Sequence, residues 1–338
     1  MCTAVSLRTE SHYFGRNLDL DRDYGEEIAV MPRRYPVAFG NGVTLRDHFA
    51  VIGMAKVVET DGEKNGGYPL FFDAVNEQGL AVAGLNFPHN AYYVPRENAP
   101  GDRYAVASFE LIPWLLCRCG SVSEARELLE DTVITDESFG KGLSPTPLHW
   151  MISDGKEDAV IECTEKGMRV TDNPVGVLTN NPPFEYQCAE LKKYSHLTAE
   201  FRDSGEELTG KHGERYFTHT LGAGGVGLPG DSSSRSRFVR AVFNLKSSAS
   251  EGGETDSVGQ LFHILSSVEV VKGSCKTETG REHFTRYSSC MSAENGRYYY
   301  TTYGNRGISC VDMHRCRLDG DVPYRFKLLK EEQIYRQN

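Results

Sequence analysis

The sequence predicts an α+β protein in which antiparallel β-sheets are covered by helices. Three observations lead to this prediction. Strand-like segments lie at both ends of the 338-residue chain, paired helical segments and linkers lie between them, and no internal repeat or clear boundary divides the sequence. We therefore expect residues 1–338 to form one domain.

The composition is that of an ordinary globular protein. Hydrophobic residues make up 39% of the chain and charged residues 25%, close to the usual values. The net charge of −10 argues against nucleic-acid binding, which requires a basic face. No segment resembles a signal peptide and no apolar run reaches membrane-spanning length. We therefore expect a cytoplasmic protein without nucleic-acid or membrane partners.

The cysteine pattern favours reduced thiols. The chain has nine cysteines, an odd number that argues against a disulfide framework in a cytoplasmic protein of this length. Cys117 and Cys119 form one candidate metal-ligand group, and Cys310, His314 and Cys316 form another. Neither group has two CxxC pairs or the usual spacing of a zinc site. We therefore expect neither a metal nor another cofactor.

The first predicted element is a β-hairpin. Residues 3–7 and 13–18 are strand-like and flank a polar segment centred near Glu10. In that register Cys2 lies opposite Leu18. One slip in the register would move every side chain to the other face.

This hairpin brings an arginine close to Cys2. Arg16 is the diagonal neighbour of Cys2 on the same face, within reach of a long side chain, and its charge would favour a thiolate. Asp19 is predicted to lie on the opposite face of a regular strand. It would then join the site only through a bulge or a turn after Leu18.

Cys2 directly follows the initiator methionine. Methionine aminopeptidases remove Met1 when the second residue is small, which would leave a thiol and a free α-amine on one residue. The thiolate is a nucleophile. The amine, with a pKa of roughly 7.7–8.0, can act as its base. The pair is therefore a candidate catalyst that needs no distant histidine.

The central part of the chain predicts further strands and one helix pair. Two helices are predicted at 108–116 and from Ser121, where SVSE is typical of a capping box. Residues 133–142 are predicted to form a loop. The predicted strands are 27–32, 49–55, the flanks of a turn at 76–79, and a meander at 150–154, 159–163, 168–170 and 175–179.

The C-terminal part predicts two more helices and a final sheet. The helices are predicted to start at Ser236 and to span 258–268, separated by a linker at 245–256. The last strands lie around Asn295-Gly296, a pair that is a strong hairpin signal.

Six short motifs stand along the chain in a specific order. They are Cys2-Thr3, GRNLD at 15–19, GLNFP at 84–88, LHWM at 148–151, GVLTN at 176–180, and LPGD followed by SRF at 228–238. In this order the chain resembles the choloylglycine hydrolases. These are N-terminal nucleophile hydrolases that include bile salt hydrolases and penicillin V acylases. The resemblance extends over essentially the whole chain.

The resemblance implies a fold and a catalytic set. The fold is a four-layer αββα sandwich of two antiparallel sheets flanked by helices. The implied catalytic residues are Cys2, Arg16, Asp19, Asn86, Asn180 and Arg237. Cys2 would be the nucleophile once Met1 is removed, with Arg16 beside the thiolate and Asp19 bonded to the α-amine. Asn180 and Asn86, the latter through side chain or backbone, would form the oxyanion hole. Arg237 would complete the polar site.

The resemblance also implies a substrate and an assembly. The expected reaction is hydrolysis of glycine- and taurine-conjugated bile acids, and the expected assembly is a homotetramer. Penicillin V acylase activity is the alternative. Asn86 favours bile salt hydrolysis, because the resemblance implies a tyrosine at this position in the acylases. The candidate steroid wall is Leu18, Leu20, Phe72, Phe139 and Leu143. An alternative of a different class is a non-catalytic binder of bile acids or lipids that retains Met1.

Two stretches depart from the family pattern. The loop 59–67 is longer and more polar than expected, so it could alter the preference for glycine or taurine. Arg235 is an extra arginine just before Arg237, and we expect its side chain to be solvated.

Overall fold

The structure is a computed structural model that describes residues 1–59, 67–139, 145–201, 207–217 and 221–338. Two large sheets, in which every pair of neighbouring strands is antiparallel, dominate it. The smaller sheet has six strands. In spatial order they are β14 (Val177–Leu178), β1 (Cys2–Arg8), β2 (His12–Leu20), β17 (Phe284–Ser292), β18 (Arg297–Thr302) and β19 (Asn305–Asp312).

The larger sheet has eight strands. In spatial order they are β13 (Gly167–Asp172), β12 (Asp158–Thr164), β11 (Leu148–Ser153), β8 (Ala81–Asn86), β7 (Tyr68–Asn76), β6 (Val51–Val58), β3 (Glu27–Met31) and β20 (Tyr324–Lys327). Three two-stranded ribbons accompany the sheets. They are β4 (Val37–Ala38) with β5 (Thr44–Leu45), β9 (Tyr104–Ala107) with β10 (Thr132–Thr135), and β15 (Glu207–Thr209) with β16 (Arg215–Phe217).

Helices cover the outer faces of both sheets. α1 (Leu111–Leu116) and α2 (Val122–Glu130) pack on the larger sheet. On the side of the smaller sheet lie α3 (Phe184–Leu191), α4 (Ser234–Ser247) and α5 (Glu254–Ser266). The predicted four-layer αββα sandwich is therefore confirmed. No helix within the described ranges has the length and apolar character to cross a membrane.

Alternation along the strands of the larger sheet builds two cores. On β11, Trp150 and Ile152 face the outer core against α1 and α2. Met151 between them faces the inner core, which also contains Val160 and residues of the smaller sheet such as Phe14. Both faces of the sheet are thus buried, and the inner core fixes how the two sheets face each other.

The predicted N-terminal hairpin and its register are confirmed. Cys2 is paired with Leu18, and Ala4 with Arg16. This register follows from the short turn between two strands of period two, so the sequence contained the information needed to derive it.

Two predicted segments were wrong. Residues 133–135, expected in a loop, belong to β10, which pairs in parallel with β9. The strand expected to complete the meander, β14, pairs with β1 in the other sheet. Just before it, Gly176 has φ +64°, a left-handed conformation that glycine adopts readily, and here the chain crosses between the sheets. The apolar periodicity of a strand does not indicate which of the two sheets the strand joins.

The helix boundaries near the C-terminal end also differ from the prediction. The Ser233 side chain accepts a hydrogen bond from the backbone N–H of Ser236, and α4 begins at Ser234. It continues to Ser247, and α5 begins at Glu254. The linker between the two helices is therefore shorter than expected.

Candidate active site

The two faces of the β1–β2 hairpin deliver different groups to the site. Even-numbered residues, including Cys2 and Arg16, face the larger sheet, since Arg16 bonds to a carbonyl of β8. Odd-numbered residues face the helices: Thr3 accepts a bond from Arg237 of α4. Cys2 and Arg16 therefore approach the site from one face, and Asp19 from the other.

Arg16 is completely buried where the β7–β8 ladder opens. The ladder ends at the pair Asp73–Ala83. Beyond it, Arg16 Nη1 donates to the carbonyl of Gly84 at 2.7 Å and to that of Phe72 at 3.1 Å. Among the described residues, Nη2 has no hydrogen-bond partner. A buried donor without an acceptor is costly, so this N–H is available to an anion at the site.

Asn180 connects three elements at the end of the hairpin. Its Oδ1 accepts from the backbone N–H of Cys2 and from Arg237 Nη2, each at 2.7 Å. Its Nδ2 donates to the carbonyl of Asn86 at 2.7 Å, and its own backbone N–H donates to Ser234 Oγ at 2.9 Å. The structure thus brings Cys2, Asn86, Asn180 and Arg237 together.

Arg237 and Asp19 meet behind Cys2. The fully buried Arg237 donates through Nη1 to the carbonyl of Cys2 at 2.5 Å and to Thr3 Oγ1 at 2.6 Å. The same nitrogen lies 4.0 Å from Asp19 Oδ2. Asp19 Oδ1 accepts from Thr285 Oγ1 at 2.6 Å, whereas Oδ2 has no hydrogen-bond partner in the described residues. Burial lowers the pKa of Arg237.

The expected route of Asp19 into the site was wrong. β2 continues through Asp19 to Leu20, and the irregularity lies on its partner strand β17, between Thr285 and Tyr287. Asp19 keeps the opposite face, as the register predicts. It approaches the site because Arg237 of α4, which bonds to the Cys2 carbonyl, lies on the same face as Thr3 and Asp19.

Met1 extends the hairpin by one residue pair. Its amine donates to the carbonyl of Asp19 at 3.0 Å, and Asp19 N–H donates to the Met1 carbonyl at 3.0 Å. The amine also lies 2.6 Å from His283 Nε2. Burial lowers the pKa of this amine; burial and the amine charge lower the pKa of His283 to about 4. With Met1 in place, the nitrogen of Cys2 is a peptide N–H.

A support for Asn180 was not recognised in the sequence. His149, in the quoted LHWM motif, lies with Nε2 2.8 Å from the carbonyl of Thr179. Its Nδ1 lies 3.1 Å from Glu162 Oε1, which also accepts the backbone N–H of Phe184 at 2.9 Å. A carbonyl only accepts, so we assign a proton to Nε2. His149 thereby fixes the residue that precedes Asn180.

Asp73 was also missed. Its carboxylate is completely buried between the sheets and accepts bonds from Tyr287, Ser289 and Tyr298. These partners lie more than 200 residues away in the chain, so no local signal could have identified the cluster.

Three of the candidate wall residues lie near the hairpin end. Leu18 is buried in the inner core opposite Cys2. Leu20 and Phe72 are partly buried against the same core. The ring of Tyr24, which was not predicted, lies 6.1 Å from that of Phe72.

Of the other two candidates, the structure describes only Phe139. Phe139 packs against Tyr68 and Phe109, with ring centroids at 5.7 and 5.1 Å. Leu143 lies outside the described residues, and so do residues 60–66 of the predicted polar loop.

The arrangement suits attack by a thiolate on a polarised carbonyl. Cys2 offers a thiol beside two buried guanidinium groups that carry positive charge, and Asn180 offers an amide donor. Within the described ranges, no group of three or more His, Cys, Asp and Glu side chains could hold a metal ion.

The comparisons with known proteins agree on one family. A family model described as linear amide C–N hydrolases, choloylglycine hydrolase family, matches residues 2–326. The chain is 40% identical over 338 residues to a bile salt hydrolase/transferase of Lactiplantibacillus plantarum, covering 100% of both chains. It is 36% identical over 347 residues to a bile salt hydrolase/transferase of Clostridium perfringens, again covering 100% of both.

Solved structures give the same result for the fold. A mutant conjugated bile acid hydrolase from Clostridium perfringens superposes with a TM-score of 0.88 at 34% identity, covering 100% of both chains. A penicillin V acylase from Agrobacterium tumefaciens superposes with a TM-score of 0.73 at 19% identity, covering 96% of this chain and 91% of the acylase. At that identity, the second likeness is evidence for the fold alone.

Proposed function

Because this chain belongs to the choloylglycine hydrolase family of linear amide C–N hydrolases, we propose that it cleaves the amide bond of glycine- and taurine-conjugated bile acids. The observation that carries the proposal is the buried cluster of Cys2, Arg16, Asn180 and Arg237. It occurs in a chain related over its full length to bile salt hydrolases. The products would be a free bile acid and glycine or taurine.

The reaction would begin after removal of Met1. The Cys2 nitrogen then becomes an α-amine that keeps its contact with Asn180 Oδ1. Asp19 Oδ2, buried and without a partner in the described residues, is a second acceptor for the new amine protons. These two contacts would orient the amine as the base for its own thiol.

The thiolate would next attack the substrate carbonyl. Arg16 favours the thiolate, since opposite charges stabilise each other in a buried site. The oxyanion would be bound by Asn180 Nδ2, which now donates to the carbonyl of Asn86, and by Asn86 through side chain or backbone. One donor of this kind is typically worth about 2.7–4 kcal/mol of barrier.

Collapse of the tetrahedral intermediate would release the amine. The Cys2 α-ammonium gives a proton to the leaving nitrogen, and the C–N bond breaks to leave a thioester on Cys2. The neutral amine then takes a proton from water, and the hydroxide oxygen attacks the thioester carbonyl. The C–S bond breaks to release the free bile acid, and the ammonium returns its proton to the sulfur. One group thus acts as base and acid in turn.

The test combines N-terminal mass analysis with amine release. We expect the purified chain to begin at Cys2 and to release glycine and taurine from conjugated bile acids, and Cys2→Ala to release neither. Cys290, a buried thiol on β17, is the matched control, and Cys290→Ala should retain activity. Equal activity of Cys2→Ala and the parent would contradict the proposal.

Two neighbouring activities can be separated in the same assay. Penicillin V acylase activity is not favoured, because the family resemblance implies a tyrosine in the acylases at the position of Asn86. A processed chain that cleaves only penicillin V would reverse that order. The names of the L. plantarum and C. perfringens relatives also include transferase. A thioester attacked by a second amine would form a new conjugate, and mass analysis with added amino acid tests this.

The remaining expectations concern the wall, the organisation and the location. We propose that Leu18, Leu20, Phe72, Phe139 and Leu143 contact the steroid, and that residues 1–338 form one domain of a cytoplasmic homotetramer. Light scattering after gel filtration tests the assembly, and limited proteolysis tests the single domain. Polar substitution of a wall residue should raise KM more than it lowers kcat. An unchanged KM would remove that residue from the wall.

A further inference from the structure

Asp73 is a buried carboxylate that the proposed reaction does not use. It belongs to β7 of the larger sheet, and its partners belong to the smaller sheet. Tyr287 donates to Oδ1 at 2.5 Å, while Tyr298 and Ser289 donate to Oδ2 at 2.5 and 2.9 Å. Three hydroxyl donors favour the ionised form of a carboxylate, and they hold it at a fixed position between the sheets.

Asp73 is linked to Arg16 by the backbone. Phe72 is the extra residue in an irregularity between β6 and β7, and its carbonyl accepts from Arg16 Nη1 at 3.1 Å. The fixed carboxylate at position 73 therefore holds the residue that orients the guanidinium.

Asp73 is also linked to Arg16 by charge. Burial alone would lower the pKa of Arg16, but the charges of Cys2 and Asp73, among others, outweigh it and raise that pKa. Burial raises the pKa of Asp73, and the Arg16 charge opposes this rise. Arg16, bonded to the carbonyl of the residue that precedes Asp73, is thus within electrostatic reach of both the Asp73 carboxylate and the Cys2 thiol.

Other titratable groups in the described residues also lie near these two, among them His283, whose Nε2 is 2.6 Å from the Met1 amine. Cys2 also faces Arg237 of α4, the N-terminal amine and, through that amine, Asp19. Asp73 faces Arg16 and the phenols of Tyr287 and Tyr298.

We propose that Asp73 is a positioning residue that acts through Arg16: as the second anionic partner of this guanidinium, it limits how strongly Arg16 stabilises the Cys2 thiolate. The proposal rests on the proposed role of Cys2 as nucleophile. A more strongly stabilised thiolate is present at lower pH but is a weaker nucleophile. Sharing Arg16 with Asp73 therefore limits the loss of nucleophilicity that this guanidinium imposes on the thiolate.

The test is Asp73→Asn, which keeps the shape and removes the charge. The rate of Cys2 alkylation by iodoacetamide is followed against pH by mass analysis of the N-terminal peptide of the chain that begins at Cys2. We expect the midpoint of the alkylation rate against pH to lie about 0.5–1 unit lower in Asp73→Asn than in the parent. The acid limb of kcat/KM should move in the same direction, and its plateau should fall about two- to threefold.

Asp158→Asn is the matched control. Asp158 is also a buried carboxylate between the sheets, bonded to an arginine and a serine. It lies at the other end of the hairpin, so the midpoint should stay that of the parent. Tyr298→Phe removes one donor from Asp73 and should shift the midpoint in the same direction as Asp73→Asn, but less.

An unchanged or raised midpoint in folded Asp73→Asn would overturn the proposal. If that variant does not fold, Tyr298→Phe decides in the same way. The thiol assay needs no substrate, so the failures are distinguishable. A parent chain that releases no amine contradicts the proposed function, whereas an active parent with an unmoved midpoint in the variant contradicts only the role of Asp73.

Discussion

The β1–β2 hairpin has a polar cluster at each end, buried throughout at the Cys2 end and partly exposed, at Arg8, near the turn. The Cys2 cluster (Cys2, Arg16, Asp19, Asn180 and Arg237) lies where the chain begins. The His12 cluster (Ser6, Arg8, His12, Ser153 and Asp158) lies near the turn. Each contains a thiol or hydroxyl side chain that can act as a nucleophile, a carboxylate and an arginine. Each also joins the smaller sheet to other elements. The two differ in how their groups are paired.

In the His12 cluster the groups neutralise one another. Arg8 donates to both oxygens of Asp158, at 2.7 and 2.9 Å. Ser153 donates to the same carboxylate, and His12 Nε2 lies 2.7 Å from Ser153 Oγ. Since the serine proton is directed at the carboxylate, Nε2 must donate to the serine rather than accept from it. A serine, a histidine and an aspartate are close together here without forming a triad.

In the Cys2 cluster charged groups stay incompletely paired. Arg16 Nη2 and Asp19 Oδ2 have no hydrogen-bond partner within the described ranges, although both residues are fully buried. Such groups cost stability and are retained where a substrate or a new α-amine can pair with them. The comparison indicates that residue type alone does not distinguish the two clusters, whereas unpaired buried charge does. His12 Nδ1 also has no hydrogen-bond partner among the described residues, but the lowered pKa of His12 leaves this ring uncharged near pH 7.

The largest expected difference between the clusters is in rate. Asn180→Ala removes the Nδ2 donor and the acceptor of the Cys2 N–H. We expect kcat to fall about 10²–10³-fold. Ser153→Ala at the other end should leave kcat within about twofold, because we place no reacting group there. Steady-state kinetics on a conjugated bile acid measures both, and a loss in Ser153→Ala equal to that in Asn180→Ala would remove the distinction.

The next difference is in pH-dependent stability. Burial and Arg8 lower the pKa of His12 to about 4. The unfolded chain therefore binds the proton first as pH falls below about 6.5, and stability is lost between that pH and about 4. Between pH 7 and 4.5 the free energy of unfolding of His12→Gln should fall by about 2–3 kcal/mol less than that of the parent.

Chemical denaturation at the two pH values measures this difference. The exposed His263 supplies the control, and His263→Gln should behave like the parent. Identical pH dependence in His12→Gln and the parent would assign the acid loss of stability to other groups.

The sequence allowed the local part of the site to be predicted, and topology determined the rest. Cys2 and Arg16 lie on one hairpin, so strand period and turn length placed them on one face. The family motifs supplied Asn180 and Arg237, but their contacts depend on β14 crossing to the smaller sheet, which periodicity did not indicate. Asp73 and its tyrosines meet only because the two sheets face each other.

The smallest expected effect on kcat/KM comes from a comparison of two hydroxyl groups on β1. Thr3 Oγ1 accepts from Arg237 Nη1 at 2.6 Å in the Cys2 cluster, and Ser6 Oγ lies 3.0 Å from Ser153 Oγ in the His12 cluster. Thr3→Val keeps the shape and removes an acceptor from a buried cation. We expect kcat/KM to fall about tenfold, or about 1.4 kcal/mol, with Thr3→Ser restoring it.

Ser6→Ala should change kcat/KM less than about twofold, because its hydroxyl contacts only the self-neutralised cluster. Kinetics of the three variants, together with their thermal stabilities, separates a change at the site from partial unfolding. If Thr3→Val and Ser6→Ala lower kcat/KM equally, Arg237 does not depend on Thr3 for its position. Pairing by Asn180 and by the carbonyls of Cys2 and Ser232 would then hold the guanidinium.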